Sequence, residues 1–157
     1  MIDPDTFRSV LGRFATGVTV LTAIDPGGRD HGMTASAFCS VSLEPPLVLA
    51  CVDEQAEMNA ILDTAGHFGV SILAEDQEPL SRRFADLDEG RFEGVGYGRG
   101  VTGVALLDGA IAHLECRIAA RHRAGDHTIV VGEVVEATTH GQRPLVYYRS
   151  GYTTLDR

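Results

Sequence analysis

The chain contains no lysine and no tryptophan, and its thirteen basic residues are all arginine. Without lysine, the protein has no amine for Schiff-base catalysis and no lysine for a phosphate-binding P-loop. A bound phosphate group would have to be held by arginine side chains, hydroxyl groups or backbone N–H groups. The absence of lysine therefore limits the side chains that could bind a phosphate to arginine and hydroxyl-bearing residues.

Positive charge and long apolar runs are also scarce. Thirteen basic residues against 22 acidic residues give a formal net charge of −9. Nucleic-acid binding depends on clustered positive charge, so no nucleic-acid partner is expected. No apolar run approaches the roughly 20 residues that span a bilayer, so no membrane contact is expected. The acidic first ten residues lack the apolar segment of a signal peptide, and we expect a cytoplasmic protein.

Cysteine is limited to Cys39, Cys51 and Cys116, which are widely spaced and form no C-x-x-C pair. This pattern predicts neither a disulfide framework nor a zinc site, and the histidines show no metal-ligand spacing, so no metal site is expected. Cys51 and Cys116 lie in apolar runs and are expected to be buried. The environment of Cys39 is left open.

The order of apolar patterns predicts a mainly β fold with short helices, in a single domain of residues 1–157. The predicted strands are residues 17–24, 31–38, 47–53, 67–74, 110–120, 128–138 and 144–152, and the predicted helices are residues 3–14, 54–66 and 75–86. Residues 86–109 are rich in glycine and predicted to be irregular, and residues 121–127 are predicted to form a turn. Since strands do not alternate with long helices, a closed or nearly closed antiparallel barrel is expected.

Residues 32–46, "GMTASAFCSVSLEPP", combine small and hydroxyl-bearing residues with a double proline and carry no charge before Glu44. Such a stretch can present backbone N–H groups and hydroxyls to a flat polar ligand. The alternative interpretation is an edge strand whose serines and threonine are solvated. Composition alone favours the edge strand.

The segment "LSRRFA" places Ser81 directly before Arg82 and Arg83 on a predicted short helix. A hydroxyl beside guanidinium groups is suited to bind a phosphate. The alternative is a pair of solvated arginines on a helix surface, which is the commoner environment for such a pair.

Asp126 and His127 stand at a predicted turn immediately before a strand. A histidine at the mouth of a strand can hydrogen-bond a ligand or hold a proton. The alternative is that Asp126 is a turn residue and His127 its exposed neighbour.

One glycine motif does not fit its usual interpretation. Residues 98–103 spell G-x-G-x-x-G, but a dinucleotide-binding fingerprint requires a strand before the motif and a helix after it. Neither is predicted here, so we expect an ordinary glycine-rich loop.

Taken together, the segments "FATGVTVLTA", "GMTASAFCSVSLEPPLVLACVD", "SILAEDQEPLSRRFA", "GAIAHLECR", "GDHTIVVGEV" and "PLVYYRSGY" resemble the flavin reductase-like family in the same order. This family consists of small flavin:NAD(P)H reductases that serve two-component monooxygenases. The resemblance implies an FMN-binding split barrel of Greek-key type that works as a homodimer. It also implies hydride transfer from NADH or NADPH to FMN or FAD, with reduced flavin passed to a partner monooxygenase.

The resemblance also implies the site residues. The flavin would be lined by Met33, Thr34, Ala35, Ser36, Ala37, Ser40, Val41, Ser42, Cys51, Val52, Asp53 and Asn59. Its phosphate would be held by Ser81, Arg82, Arg83 and Phe84, while His127 would face flavin and nicotinamide with Tyr148 and Tyr152 nearby.

The chain departs from the family pattern in the loop of residues 92–107. It has no tryptophan there, and Gly103-Val104-Ala105-Leu106 stands where the family often has G-x-P-L, which leaves lid geometry and nicotinamide preference open. Two further functions stay open as alternatives. One is a related split-barrel oxidoreductase that retains its flavin or uses a deazaflavin, and the other is a flavin-binding module without turnover.

Overall fold

The computed structural model describes residues 1–156 and consists mainly of antiparallel β-strands with three short helices. The helices are α1 (Pro4–Leu11), α2 (Glu57–Thr64) and α3 (Glu78–Asp86). The strands are β1 (Thr16–Gly17), β2 (Thr19–Ile24), β3 (Asp30–Ala35), β4 (Phe38–Ser42), β5 (Leu47–Asp53), β6 (His67–Ile72), β7 (Tyr97–Arg99), β8 (Ala105–Leu107), β9 (Ala112–Ala124), β10 (His127–Thr139), β11 (Leu145–Tyr148) and β12 (Gly151–Thr154). The prediction of a mainly β, antiparallel fold is confirmed.

The main sheet has seven strands in the order β3-β2-β6-β9-β10-β5-β4, so β3 and β4 are its two edges. A flat sheet would hold these edges six spacings apart, about 29 Å at roughly 4.8 Å per spacing. Yet only Ser36 and Ala37 separate the two strands, and the chain from Ala35 to Phe38 spans at most about 11 Å. The sheet must therefore curl until its edges approach, although the strand register of the described residues contains no β3–β4 pairing.

Residues 32–46 thus contribute to both edge strands of the sheet, which agrees with the edge-strand interpretation. In β4, Cys39, Ser40 and Val41 are all exposed. The predicted single strand over residues 31–38 is wrong, since two residues break it into β3 and β4. Loss of sheet pairing at that break lets the chain change edges.

The apolar core forms two clusters. The larger lies inside the curled sheet and includes side chains of α2 with Leu21, Ala35, Ala50, Val52, Phe68 and Val70. The smaller joins α3 to the C-terminal strands through Val20, Leu73, Phe84, Leu107 and Leu145. The helices α2 and α3 lie on opposite faces of β3. Ala35 of this strand packs in the larger cluster with side chains of α2, whereas Phe84 of α3, which belongs to the smaller cluster, packs on the strand at Gly32.

Three local predictions are corrected by the structure. Residues 121–127 are not a turn, because β9 and β10 continue to Ala124 and from His127, leaving only Gly125 and Asp126 as the connection. Residues 86–109 are not wholly irregular, because β7 and β8 pair there. The N-terminal helix ends at Leu11 and not near residue 14. Long-range pairing overrides local turn propensity in the first two cases.

The glycine-rich motif at residues 98–103 forms part of the β7–β8 hairpin and holds a carboxylate of the chain itself. The buried Glu115 side chain accepts hydrogen bonds from the N–H groups of Val101 and Thr102, at 3.2 and 2.8 Å, and from the Thr102 hydroxyl at 2.6 Å. A Cβ atom at Gly100 would stand 2.2 Å from the Glu115 carboxyl carbon. Glycine is needed at that position because the carboxylate fills the space of a side chain.

The three cysteines are free and differ in burial. Cys116 is buried, as predicted, and burial raises the pKa of its thiol to about 12. Cys51 is only half-buried, so the prediction of burial holds for it in part. The pKa of its thiol is raised, mainly by burial and to a lesser extent by the nearby Cys39. Cys39 is exposed on the edge strand β4. Across residues 1–156, no helix is both long and apolar enough to cross a membrane.

Candidate functional site

The outer side of β3 offers backbone groups to a ligand, because this strand is an edge of the sheet. Arg91 Nη1 donates to the Gly32 carbonyl oxygen at 2.7 Å, so Gly32 turns its backbone groups outward. Alternate residues of an antiparallel strand point the same way, and Thr34 therefore also turns its N–H and C=O groups outward. The Thr34 hydroxyl donates to the Ser81 carbonyl oxygen at 2.6 Å and ties this edge to α3.

A hydroxyl pair and an arginine meet where α3 contacts the C-terminal strands. The Ser81 and Tyr152 hydroxyl oxygens lie 2.7 Å apart, and Ser81 is buried. The Arg82 guanidinium carbon lies 5.0 Å from the centre of the Tyr152 ring. Arg82 also donates to Glu78 at 3.0 Å, which raises the pKa of its guanidinium group. The structure thus brings Thr34, Ser81, Arg82 and Tyr152 together.

The other two predicted residues of α3 have structural contacts. Arg83 donates to three backbone carbonyl oxygens within residues 90–93, at distances of 2.6 to 2.9 Å, and so holds the loop after the helix. Phe84 is fully buried, with its ring 5.1 Å from the ring of Phe92. A Cβ atom at Gly32 would stand 2.7 Å from the Phe84 ring, so the glycine allows the helix to pack on β3. Arg82 is therefore the member of the arginine pair with its guanidinium group at the surface.

A second group of predicted residues lies at the far end of β5 and β10. His127, on β10, stands directly opposite Asp53, on β5, in the strand register. Cys51 lies on β5 two residues before Asp53. His127 Nδ1 lies 2.7 Å from the Asp126 carboxylate, and this hydrogen bond holds the pKa of Asp126 below its usual value. Val52 points the other way, into the core. The half-exposed imidazole is available to a second ligand.

Asn59 is held by a residue that the sequence did not single out. Its side-chain oxygen accepts a hydrogen bond from Arg121 at 2.6 Å, and its backbone oxygen accepts another from the same guanidinium group at 3.0 Å. Arg121 also forms an ion pair with Asp63, one turn along α2. Arg121 therefore joins strand β9 to helix α2 through Asn59 and Asp63.

The remaining predicted residues are spread along the two sheet edges and the C-terminal hairpin. Ala35 is buried in the core, so only its backbone can face a ligand, whereas Met33 is partly buried against the core and also borders a cleft with Thr34 and Phe84. Ala37 accepts a hydrogen bond from the Cys51 N–H at 3.0 Å. Ser36 and Tyr148 line a shallow cleft of about 170 Å³ beside α1. Ser40, Val41 and Ser42 lie on β4, the other edge strand of the main sheet.

Two clefts open beside the outer edge of β3. The first has a volume of about 250 Å³ and lies between this strand, the start of α2 and the end of α3. The second has a volume of about 550 Å³ and extends over the loop of residues 88–93. His31, Gly32, Glu57 and Arg91 line both clefts, so the two are continuous.

Sequence reasoning missed three polar residues of these clefts, which are His31, Glu57 and Arg91. His31 Nε2 lies 2.8 Å from Asp25, and this hydrogen bond lowers the pKa of the aspartate. Its Nδ1 lies 3.5 Å from Glu57 at the start of α2. Arg91 reaches the β3 edge from a glycine-rich loop. No local motif marks these residues, because they meet only when α2 and the loop pack on β3.

The site binds and orients better than it performs acid–base chemistry. Within residues 1–156, no cluster of three or more His, Cys, Asp or Glu side chains could hold a metal ion. The β3 edge supplies donors and acceptors for the polar rim of a flat heterocycle, and the apolar Met33, Met58 and Phe84 line the same cleft. Arg82 and Arg91 supply the only type of permanent cation in this chain, which fits a phosphate. These residues fit a flavin nucleotide.

Comparison with known proteins gives one family. The family model described as flavin reductase like domain matches residues 11–156. An NADH-dependent flavin reductase from a Rhodococcus species is 44% identical over 161 residues, covering 99% of this chain and 88% of that protein. The reductase subunit HsaB of a flavin-dependent monooxygenase from Rhodococcus jostii is 38% identical over 156 residues, covering 99% and 80%.

Solved structures agree with this assignment. The Streptomyces globisporus NADH:FAD oxidoreductase SgcE6, in complex with NAD and FAD fragments, matches with a TM-score of 0.92 and 40% identity, covering 99% of this chain and 96% of that one. The fold, the continuous clefts beside β3 and the match over residues 11–156 lead to one conclusion: the chain belongs to the flavin reductase like domain family.

Proposed function

We propose that the protein is an NAD(P)H-dependent flavin reductase that uses NADH or NADPH to reduce FMN or FAD and releases the reduced flavin to a partner monooxygenase. The observation that carries the proposal is the cleft beside β3, where outward backbone groups meet an apolar wall and Arg91, with Arg82 over the Tyr152 ring on the neighbouring helix α3. The names of similar proteins support it, since they include an NADH-dependent flavin reductase and the reductase subunit of a monooxygenase.

The bound flavin supplies the hydride-accepting ring, so the chain's own groups need only bind and orient the two reactants. Gly32 and Thr34 present backbone groups to the polar rim of the ring. Arg82 neutralises the phosphate beside Tyr152, and the Ser81–Tyr152 hydroxyl pair fixes the position of α3. His127 binds the nicotinamide part, with its imidazole oriented by Asp126.

We further propose that the curled sheet is an FMN-binding split barrel of Greek-key type. The two-residue link between opposite sheet edges supports this, because it requires the edges to approach without pairing. The strip between the edges would then be the opening that takes the flavin.

We also propose that the protein works as a homodimer. All residues of α1 are solvent-accessible in the single chain, and Phe7, Val10 and Leu11 are each more than half exposed. A surface of this kind is typical of a helix that packs on a partner. Light scattering at micromolar concentration should give twice the chain mass of 16.8 kDa, whereas the chain mass itself would contradict the proposal.

The function is tested by mixing the purified protein with riboflavin, FMN or FAD and with NADH or NADPH, and by following absorbance of the reduced nicotinamide. Rapid ultrafiltration after anaerobic reduction measures whether the reduced flavin leaves the protein. Nicotinamide oxidation with flavin release is expected. Oxidation with retained flavin would indicate the related flavin-retaining oxidoreductase, and binding without oxidation would indicate a flavin-binding module.

A further inference from the structure

A cleft rich in arginine lies where the C-terminal end of α1 meets the hairpin of β11 and β12. Its volume is about 220 Å³, and its lining contains three arginines and no carboxylate. The lining residues are Arg8, Ser9, Gly12, Arg13, Arg149 and Ser150. The three arginines are called the basic patch below.

Two arginines of the basic patch have no ion-pair partner in the described part of the chain. Arg8 Nη1 lies 2.9 Å from the Asp5 carboxylate, whereas the ion pairs of residues 1–156 include neither Arg13 nor Arg149. Both of these residues are exposed. Because the whole chain carries a formal net charge of −9, the basic patch is a local positive region on a negatively charged protein.

Arg149 occupies a turn that favours other residues. Tyr148 pairs with Gly151, so Arg149 and Ser150 form the two-residue turn of the hairpin. Their φ angles are 51° and 62°, a left-handed conformation that asparagine and glycine prefer and that costs other residues stability. The Arg149 N–H donates to the Gly12 carbonyl oxygen at 2.9 Å and fixes the turn against the end of α1. A residue that strains its own turn indicates a role for its side chain outside folding.

The basic patch borders one end of the proposed flavin opening. The cleft of about 170 Å³ beside α1 shares Gly12, Arg149 and Ser150 with the basic cleft and extends to Ser36 and Tyr148. Ser36 belongs to the two-residue link between the opposite edges of the main sheet. A reactant that reaches the strip between the edges from this end therefore passes Arg149.

Charge decides how the reactants of a flavin reductase approach this protein. FMN carries a phosphate group, and FAD and NADH each carry a diphosphate, so a net charge of −9 opposes their approach. A cleft lined by charge of one sign raises the local concentration of ions of the opposite sign and their rate of association. The basic patch supplies such a region where the opening begins.

We propose that Arg13 and Arg149 attract the phosphate-bearing reactants to the flavin opening and so accelerate their association. The inference rests on the proposed function, because it assumes that flavin enters between the sheet edges. The role differs from that of Arg82, which neutralises the phosphate of the bound flavin. Attraction during approach changes the association rate and its dependence on salt, whereas a contact in the complex changes the dissociation rate.

The test measures flavin association by stopped-flow fluorescence at low and at high salt. FMN and riboflavin share the ring and differ by the phosphate, so neutral riboflavin is the matched ligand. In about 10 mM salt the screening length is roughly 30 Å. Arg13→Gln and Arg149→Gln should then each slow FMN association roughly threefold, the factor expected for one charge about 10 Å from a phosphate dianion in water. Glutamine at position 149 keeps the backbone bond to Gly12.

Salt and the uncharged ligand provide two internal checks. In about 1 M salt, where the screening length is roughly 3 Å, the variants and the parent should bind FMN at the same rate. Riboflavin association should be the same in all of them at every salt concentration. Slower riboflavin association in the variants would show that the arginines shape the opening, and faster FMN dissociation with unchanged association would place them in the bound complex. Either result would overturn the proposal.

Arg117→Gln is the control variant, because it changes the net charge by the same amount. Arg117 is exposed and lines neither the basic cleft nor the clefts beside β3 and α1. If Arg117→Gln slows FMN association as much as Arg149→Gln does, net charge alone is responsible and the proposal is wrong. A parent protein that binds neither FMN nor riboflavin would instead refute the proposed function, so the two failures are distinguishable.

Discussion

The hydroxyl oxygens of Ser81 and Tyr152 lie 2.7 Å apart, although the residues are 71 positions apart in the chain. This contact joins α3 to strand β12 at the point where Arg82 lies over the tyrosine ring. Because Ser81 is fully buried, its hydroxyl depends on the tyrosine for a side-chain partner. The proposed phosphate site is therefore built by two elements that are far apart in the chain, α3 and β12.

Replacing Tyr152 by phenylalanine should lower the free energy of unfolding. The change leaves the buried Ser81 hydroxyl without its partner, which costs about 1–3 kcal/mol. Denaturant unfolding followed by circular dichroism measures the effect. Tyr148→Phe is the matched control, since Tyr148 is exposed on the same hairpin and should change stability by less than about 0.5 kcal/mol. Equal losses in the two variants would show that the hydroxyl pair does not stabilise the fold.

Replacing Arg82 or Arg83 by glutamine should have different effects, one on FMN affinity and the other on stability. Arg82→Gln should weaken FMN by roughly tenfold to a hundredfold through lost charged hydrogen bonds and leave riboflavin affinity unchanged. Arg83→Gln should instead lower stability, because three carbonyl oxygens of the loop lose their donor. Fluorescence titration with both ligands and a thermal melt of each variant measure the two effects. Loss of FMN and riboflavin affinity to the same extent in Arg82→Gln would refute a phosphate role.

His127→Ala should raise the KM for the nicotinamide while flavin affinity changes little. One lost hydrogen bond corresponds to roughly a two- to tenfold change. Asp126→Asn should give a smaller effect in the same direction, since the carboxylate only orients the imidazole through a contact of 2.7 Å. His122→Ala, an exposed histidine on the neighbouring strand, is the control. Steady-state kinetics that do not distinguish His127→Ala from His122→Ala would leave His127 as an ordinary exposed residue at the start of β10.

Glu115 should make stability depend on pH in the acid range. Burial raises the pKa of its carboxyl group, but hydrogen bonds from Thr102 and Val101 outweigh burial and hold the pKa below its usual value. A lowered pKa in the folded state stabilises the protein fully above the ordinary value of about 4.3, and this contribution is lost as the pH falls through the lowered pKa.

The variant Glu115→Gln isolates this contribution. At pH 7 it should be less stable than the parent by about 1–3 kcal/mol, because hydrogen bonds to a charged acceptor are replaced by weaker ones. The difference should shrink as the pH falls below about 4. Urea unfolding at several pH values measures it, with the exposed Glu136→Gln as control. A stability difference that does not vary with pH would show that the Glu115 charge does not hold the glycine-rich turn.

Local patterns in the sequence were sufficient for the kinds of elements and for the family. β-branched runs such as residues 19–24 and 47–53 form strands because side chains of this shape pack well on a pleated surface. The start of α1 at Asp3-Pro4 could be predicted from the sequence, because an aspartate side chain caps the first turn and proline fits the first helical position. Six sequence segments that follow one another in the same order as in the family were also sufficient to indicate a flavin reductase-like protein.

Only the tertiary structure decided which groups meet. The G-x-G-x-x-G motif could be rejected as a dinucleotide site from its context, but its partner Glu115 could not be foreseen, because the two come together through sheet packing. The same holds for Arg91 on the carbonyl of Gly32, a contact across 59 positions. Equivalent local patterns, such as the adjacent Arg82 and Arg83, acquired different surroundings because neighbouring residues on a helix face different directions. Sequence periodicity specifies which face of an element is apolar, whereas contacts between distant elements depend on how those faces close around one core.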